Sequence, residues 1–139
     1  MWPVGLVGSI THTDGLVMAL AVRTSSVSTI GIDAEVRRPL PPEVVDLVLR
    51  EEEQAEFDDP LQRLALFSAK EAIHKAVFPA CGVWLDFRDV RLRLSDGGRA
   101  FDVVEASQSA PEMVSELVGR TVMLPGHVFT VCYRVAGGP

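Results

Sequence analysis

The sequence lacks most of what lets a small protein declare its role by composition alone. It has only two cysteines, Cys81 and Cys132, with no CxxC spacing, which excludes a zinc ribbon and a disulfide framework. Cys132, between Val131 and Tyr133, reads as a core thiol. Cations are outnumbered, 13 Lys and Arg against 19 Asp and Glu. A net charge of −6 with no basic stripe argues against a nucleic-acid partner. Long apolar runs are missing too: the longest, around Leu16–Val22, falls far short of the roughly 18 residues of a membrane span. The opening MWPVGLVGSITH has no basic n-region of an export signal. These absences together lead to the expectation of a cytoplasmic protein with no membrane partner. There is no internal repeat and no low-complexity linker.

What is present is an ordinary globular balance, 47% hydrophobic and 23% charged over 139 residues, which points to one domain spanning 1–139. Val17–Arg23 and Ser28–Val36 read as strands joined by the polar turn TSSV. The prolines of Arg38–Pro42 end that pattern and open a helix over Glu43–Arg50, continuing or restarting through EEEQAEF. Asp58-Asp59-Pro60 supplies the cap and first turn of a longer helix across Leu61–Val77. Beyond Pro79 and Gly82 the period becomes two. Val90, Leu92 and Leu94 alternate with arginines, Asp96-Gly97-Gly98 turns the chain into Ala100–Glu105, and Arg120–Leu124 with Val128–Val135 forms a last hairpin. Glu112–Leu117 is a short helical or irregular crossing. Strands, then helices, then strands predict an α+β fold, an antiparallel sheet packed against a long helix.

Two stretches carry chemistry. In GIDAE (31–35), alternation sends Gly31, Asp33 and Glu35 to one face and Ile30, Ile32, Ala34 and Val36 to the other. Paired carboxylates beside a glycine suit a hard cation, and they also suit a strand with one solvated polar face. In FSAKEAIHKA (67–76), Ala65, Ala69, Ala72 and Ala76 form a narrow packing stripe, with Leu64, Ser68, Glu71 and Lys75 on the opposite sector. Glu71 and Lys75 alone are an i,i+4 pair of minor worth, and His74 alone is a partly exposed helix residue. Asp33, Glu35 and Glu71 with Lys70 and Lys75 nearby are a layout for a metal ion and phosphates. The tract GSITHT (8–13), read as a loop or strand end, adds hydroxyls and His12, suited to a phosphate or to an ordinary strand edge.

The two stretches resemble the paired signature of the 4'-phosphopantetheinyl transferases of the larger, surfactin- and enterobactin-type class. That signature is (V/I)G(I/V)DxE followed by (W/F)(S/T/C)xKExxxK; here it is Ile30–Glu35 and Phe67–Lys75, and WPVGLVGSITHTDG (2–15) resembles the segment upstream. The resemblance implies transfer of the phosphopantetheine arm of coenzyme A to a serine of an apo acyl or peptidyl carrier protein. It implies Mg²⁺ held by Asp33, Glu35 and Glu71, and Lys75 at the leaving phosphate. It further implies that Thr11, His12 and Lys70 contact coenzyme A phosphates, and that Glu53, in a run with Glu51 and Glu52, is a further catalytic acid. The proton acceptor is Glu71 or a member of that run. Members of the larger class have two lobes, so this chain resembles the C-terminal one without its N-terminal partner. The expectation is self-association in its place; the alternatives are a piece of a longer transferase or synthase, and a non-catalytic lobe that binds carrier protein and coenzyme A. Arg88, Arg91 and Arg93 are candidate docking cations or simply a solvated strand face.

Overall fold

The computed structural model describes residues 2–137. Its strands are β1 (Leu6–Thr13), β2 (Leu16–Arg23) and β3 (Val27–Val36), then β4 (Val90–Ser95), β5 (Ala100–Ala106), β6 (Val118–Met123) and β7 (His127–Val135). Between the two groups run helices α1 (Pro42–Val48), α2 (Glu51–Glu56) and α3 (Pro60–Cys81). Short 3₁₀ turns occupy Phe87–Asp89, Asp96–Gly98 and Glu112–Glu116. Five strands form one antiparallel sheet in the order β3-β7-β6-β5-β4, and β1 and β2 form a separate hairpin. The fold is α+β, as the order of elements implied. No helix among the described residues is long and apolar enough to cross a membrane.

Two local expectations need correction. GSITHT is not a loop: it lies in β1, paired residue for residue with β2 around a two-residue Asp14-Gly15 turn in which Gly15 takes φ 77°. An Asp-Gly pair between alternating strands is a hairpin signal, and it makes β2 the partner of β1 instead of β3. The long helix does not stop at Val77. Pro79 enters only its last turn, and Gly82 in the left-handed region closes that turn by donating its N–H to the Phe78 carbonyl, 2.7 Å away. At the other end the Asp59 side chain accepts from the Gln62 N–H at 3.0 Å, with Pro60 in the first turn, as the sequence indicated.

Helix α3 lies across the inner face of β3 and β7, with the main core on its other flank. There Leu66, Ala69, Ile73 and Val77 pack with Val48, Leu49, Leu85, Leu92 and Leu117. The sector carrying Leu64 and Ser68 is buried as well, because it faces the sheet. Its contact with β3 is set by one missing side chain. A Cβ on Gly31 would collide with the Ala72 carbonyl oxygen and come within 2.6 Å of the Ala76 nitrogen. One residue pair away, Thr29 donates its hydroxyl to the Ala76 carbonyl at 2.6 Å. Helix backbone therefore rests directly on strand backbone, which a stripe of alanines permits and larger side chains forbid.

A buried ion pair locks the helices to the far end of the sheet. Lys70 Nζ donates to Glu53 Oε1 at 2.6 Å and to the Val48 carbonyl at 3.0 Å. Glu53 also accepts from the backbone N–H groups of Arg50 and Leu92, at 2.9 and 3.0 Å. The pair thus joins the end of α1, the start of α2, the middle of α3 and strand β4. Burial pushes the Lys70 ammonium below its ordinary range, and the Glu53 charge works against that shift.

Two outcomes are expected. Gly31→Ala forces α3 off β3 and lowers stability by about 3 kcal/mol, at the upper end of overpacking costs. Lys70→Met strands a buried carboxylate and costs about 3–5 kcal/mol, while the double change Glu53→Gln, Lys70→Met recovers part of it. Urea unfolding followed by circular dichroism measures both, and a Gly31→Ala protein as stable as the parent would contradict the close-contact account.

Candidate active site

The Gly31 contact determines what meets beside it. Because β3 alternates, Thr29, Gly31 and Asp33 all face α3, opposite Ala76, Ala72 and Ser68 in turn. Asp33 is 3% exposed, so this is not a solvated polar face. Its Oδ2 accepts the Ser68 hydroxyl at 2.8 Å, and its Oδ1 lies 3.5 Å from Lys75 Nζ. Glu35, further along the strand, and Glu71, one turn before Lys75, complete the group.

The electrostatics follow from crowding three carboxylates against one lysine. Burial, then a hydrogen bond and the charge of Asp33, then the charge of Glu71, raise Glu35 from its ordinary 4.5 to about 8, with Lys75 opposing. Burial first and Asp33 second also raise Glu71, again against Lys75. The cluster therefore holds more negative charge than its own cation balances. A hard divalent ion with oxygen ligands fits that donor set. Among the described residues, no three His, Cys, Asp or Glu side chains are already drawn around a common point. Closing around an ion thus requires the three carboxylates to rearrange about a common point.

Next to the cluster opens a groove of about 630 Å³. Glu71, His74, Lys75 and Phe78 line it along one stripe of α3, and Gly8, Ser9 and Ile10 of β1 form the opposite side. Trp2 and Trp84 supply its aromatic walls. The Trp84 ring meets His74 edge to face with centroids 4.1 Å apart and Phe78 at 6.0 Å. His74 Nε2 is buried without a hydrogen-bond partner. Burial lowers the His74 pKa, and the charge of Asp86 opposes that shift.

Strand β1 is seated by its hydroxyls. The Ile32 N–H donates to Ser9 Oγ at 3.0 Å and the Ala34 N–H to Thr11 Oγ1 at 3.1 Å, so side chains satisfy the free edge of β3. Gly8, Ile10 and His12 alternate to the other face, and His12 emerges exposed toward the Glu35 end of β3.

The residues singled out in the sequence thus divide. Asp33, Glu35, Glu71 and Lys75 come together, and His12 lies on the same side. Lys70 and Glu53 do not join them: both are buried in the core as each other's partners, and at 2% and 0% exposure neither reaches a ligand. Thr11 is buried with its oxygen occupied by the Ala34 N–H. Arg91 and Arg93 pair with Glu105 and Asp102 across β4 and β5, at 3.4 and 2.7 Å, leaving less free charge for docking than their spacing suggested. Cys132 is a core thiol, pushed up by burial. Sequence reasoning passed over Trp84 and Phe78 and met Trp2 only as part of the upstream segment 2–15, with no role in a groove.

A pH dependence follows. Glu35 binds its proton more tightly folded than unfolded, so between about pH 4.5 and 8 its contribution to stability falls as pH rises. Thermal unfolding of the metal-free protein should show this slope, Glu35→Gln should flatten it, and Mg²⁺ should raise Tm more near pH 8 than near pH 5. An equal Mg²⁺ effect at both ends would sink the coupling.

Residues 29–132 match the family described as the 4'-phosphopantetheinyl transferase superfamily. The chain is 36% identical over 107 residues to 4'-phosphopantetheinyl transferase Svp of Streptomyces mobaraensis, a match covering 72% of this chain and 44% of that protein. It is 38% identical over 96 residues to 4'-phosphopantetheinyl transferase PptT of Mycobacterium tuberculosis, covering 66% and 42%. The chain spans less than half the length of these relatives. Among solved structures, the holo-ACP-synthase of Plasmodium yoelii aligns with a TM-score of 0.53 at 19% identity, over 81% of this chain and 97% of that one. A Chronobacterium ammoniagenes ACPS–CoA complex aligns with a TM-score of 0.51 at 20% identity, over 77% and 96%. At such identities these two establish the shared fold. With a family match running from the start of the carboxylate strand β3 to the core of β7, this chain belongs to the 4'-phosphopantetheinyl transferase superfamily.

Proposed function

We propose that the chain transfers the 4'-phosphopantetheine arm of coenzyme A to a serine hydroxyl of an apo acyl or peptidyl carrier protein, releasing 3',5'-ADP, with Mg²⁺ as the cation. The observation that carries this reading is the meeting of Asp33, Glu35, Glu71 and Lys75 at the mouth of an apolar groove, in a chain of this family. Asp33, Glu35 and Glu71 are the residues that would hold the ion. Once bound, the cation supplies charge neutralisation at the coenzyme A pyrophosphate.

The chain's own groups account for the remaining steps. The serine oxygen forms a bond to the pantetheine-side phosphorus as the bridging bond to the ADP phosphate breaks, a displacement that depends mainly on positioning and charge. Lys75, one third exposed and only 3.5 Å from Asp33, is free to move onto the departing phosphate. Glu71, which lines the groove beside Lys75, is the carboxylate placed to take the serine proton. Ser9 borders the groove with its oxygen occupied by the Ile32 N–H, so it keeps its own hydrogen to donate to a phosphate, and the exposed His12 offers a further contact, whereas Thr11 is closed off by burial. The walls of Trp2, Phe78 and Trp84 suit a slender arm with apolar segments, and His74 Nε2 suits one of its amides.

Intact mass of an apo carrier protein, after incubation with this chain, Mg²⁺ and coenzyme A, tests the reading. A phosphopantetheine increment is expected, absent with Asp33→Ala and reduced at least about 100-fold in rate with Lys75→Ala. No increment on several carriers, with carrier binding intact, would favour the docking module instead. Repeating the assay over a range of protein concentrations reads out any dependence on self-association.

A further inference from the structure

Apart from Thr29, whose hydroxyl is taken by the helix backbone, the buried polar side chains on the inner face of the sheet fall in one row. Asp33 on β3 stands opposite Thr130 on β7, and Thr130 stands opposite Thr121 on β6. From α3 above them, Ser68 Oγ reaches both Asp33 Oδ2, at 2.8 Å, and Thr130 Oγ1, at 2.9 Å. The Thr130 and Thr121 hydroxyls are 3.3 Å apart. Ser68 and Thr130 are fully buried, and Thr121 is 3% exposed.

Packing alone does not call for these hydroxyls. Valine has the shape of threonine, and alanine would sit under α3 as it does at positions 65, 69, 72 and 76. A buried hydroxyl must find a partner or forfeit its hydration, so an apolar row would be the simpler core. What the row accomplishes is directional. Ser68 has one hydrogen and two acceptors in reach, and the ionised carboxylate is the stronger claimant. With that hydrogen on Asp33, Thr130 Oγ1 still holds Ser68 Oγ from the other side at 2.9 Å, and Thr121 backs Thr130 at 3.3 Å. The three hydroxyls form one connected row that ends on a single oxygen, Asp33 Oδ2.

We infer that Ser68 and Thr130, backed by Thr121, are positioning residues that pin Asp33 Oδ2 and so hold Oδ1 toward Lys75 and the other two carboxylates, ready for a divalent ion. The pin matters because Asp33 is the most deeply buried of the three carboxylates, so its orientation decides where the other two can converge on an ion. An Asp33 free to rotate would leave the cation no fixed ligand. The inference rests on the reading of Asp33, Glu35 and Glu71 as the cation site, and it assigns a role to the serine at the second position of the FSAKE motif.

The test is Mn²⁺ titration of the full chain, followed by electron paramagnetic resonance of free Mn²⁺, beside thermal unfolding of each variant. Ser68→Ala and Thr130→Val should each weaken Mn²⁺ binding about 10-fold, the scale of lost outer-shell support. Thr130→Val should do so with an unchanged or higher Tm, and Thr130→Ser, which keeps the hydroxyl, should bind like the parent even where its Tm drops. A purely structural role would move affinity with stability and could not separate the two threonine variants. If the parent binds Mn²⁺ and both hydroxyl-less variants bind it equally well, the positioning role is overturned and the cation site stands. If the parent itself binds no Mn²⁺, or binds it no better than Asp33→Ala, the cation site fails and the positioning role fails with it.

Discussion

Backbone-to-backbone contact between α3 and β3 is the constraint from which the rest of the molecule follows. With no side chain on Gly31 and alanines at 72 and 76, the helix axis comes close enough for Thr29 to bond the Ala76 carbonyl directly. That proximity puts the strand's alternate residues in register with the helix: Thr29 with Ala76, Gly31 with Ala72, Asp33 with Ser68. Glu35, two residues beyond Asp33 on the strand, and Glu71 and Lys75, on the flank of the helix beside Ala72, then gather around Asp33. The site is a consequence of how the helix packs.

Such packing brings like charges together, and the fold contains only a partial remedy. Of the two lysines in the motif, Lys70 is committed to Glu53 in the core, which leaves Lys75 as the motif's cation at the carboxylate cluster. The excess charge has two ways out. One is a proton on Glu35, in keeping with its raised pKa; under the proposed function a divalent ion would be the other. The buried Lys70–Glu53 pair belongs to a different economy: it contributes nothing at the groove, yet it fixes α2 and β4 against the helix that carries the site.

How much of this was legible depended on whether a pattern names a face or only a residue type. Period two along 30–36 located Asp33 and Glu35 on one side of a strand, and the 100° step of a helix located the alanine stripe; both describe faces, and both hold in the structure. The cap at Asp59-Pro60 was equally readable. Lys70 and Lys75 were not distinguishable in this way. They are about 140° apart on the helix, so they cannot serve one site, but which of them turns outward depends on α1 and β4, far away in sequence. Glu53 was hidden in a run of three glutamates, where burial of one member is decided by the N–H groups of Arg50 and Leu92 that it meets. The groove's tryptophans, Trp2 and Trp84, belong to no shared period at all, and only the folded chain brings them together.

The hydroxyls of Ser9 and Thr11 show how one observation in the sequence can serve two ends. Small hydroxyl residues before the hairpin suit either a phosphate or a strand edge, and the geometry satisfies the edge: both oxygens accept β3 amides that would otherwise lack a neighbouring strand. A hydroxyl that accepts in this way has its hydrogen left over, and accepting from an amide strengthens it as a donor. Ser9, which also borders the groove, keeps that hydrogen available there, while Thr11 is closed off by burial. Were β1 joined to β3 by an ordinary ladder instead, neither hydroxyl would be needed at the edge. Seating the hairpin through side chains fixes it beside β3, which accounts for hydroxyls in a tract where valines would make the better strand.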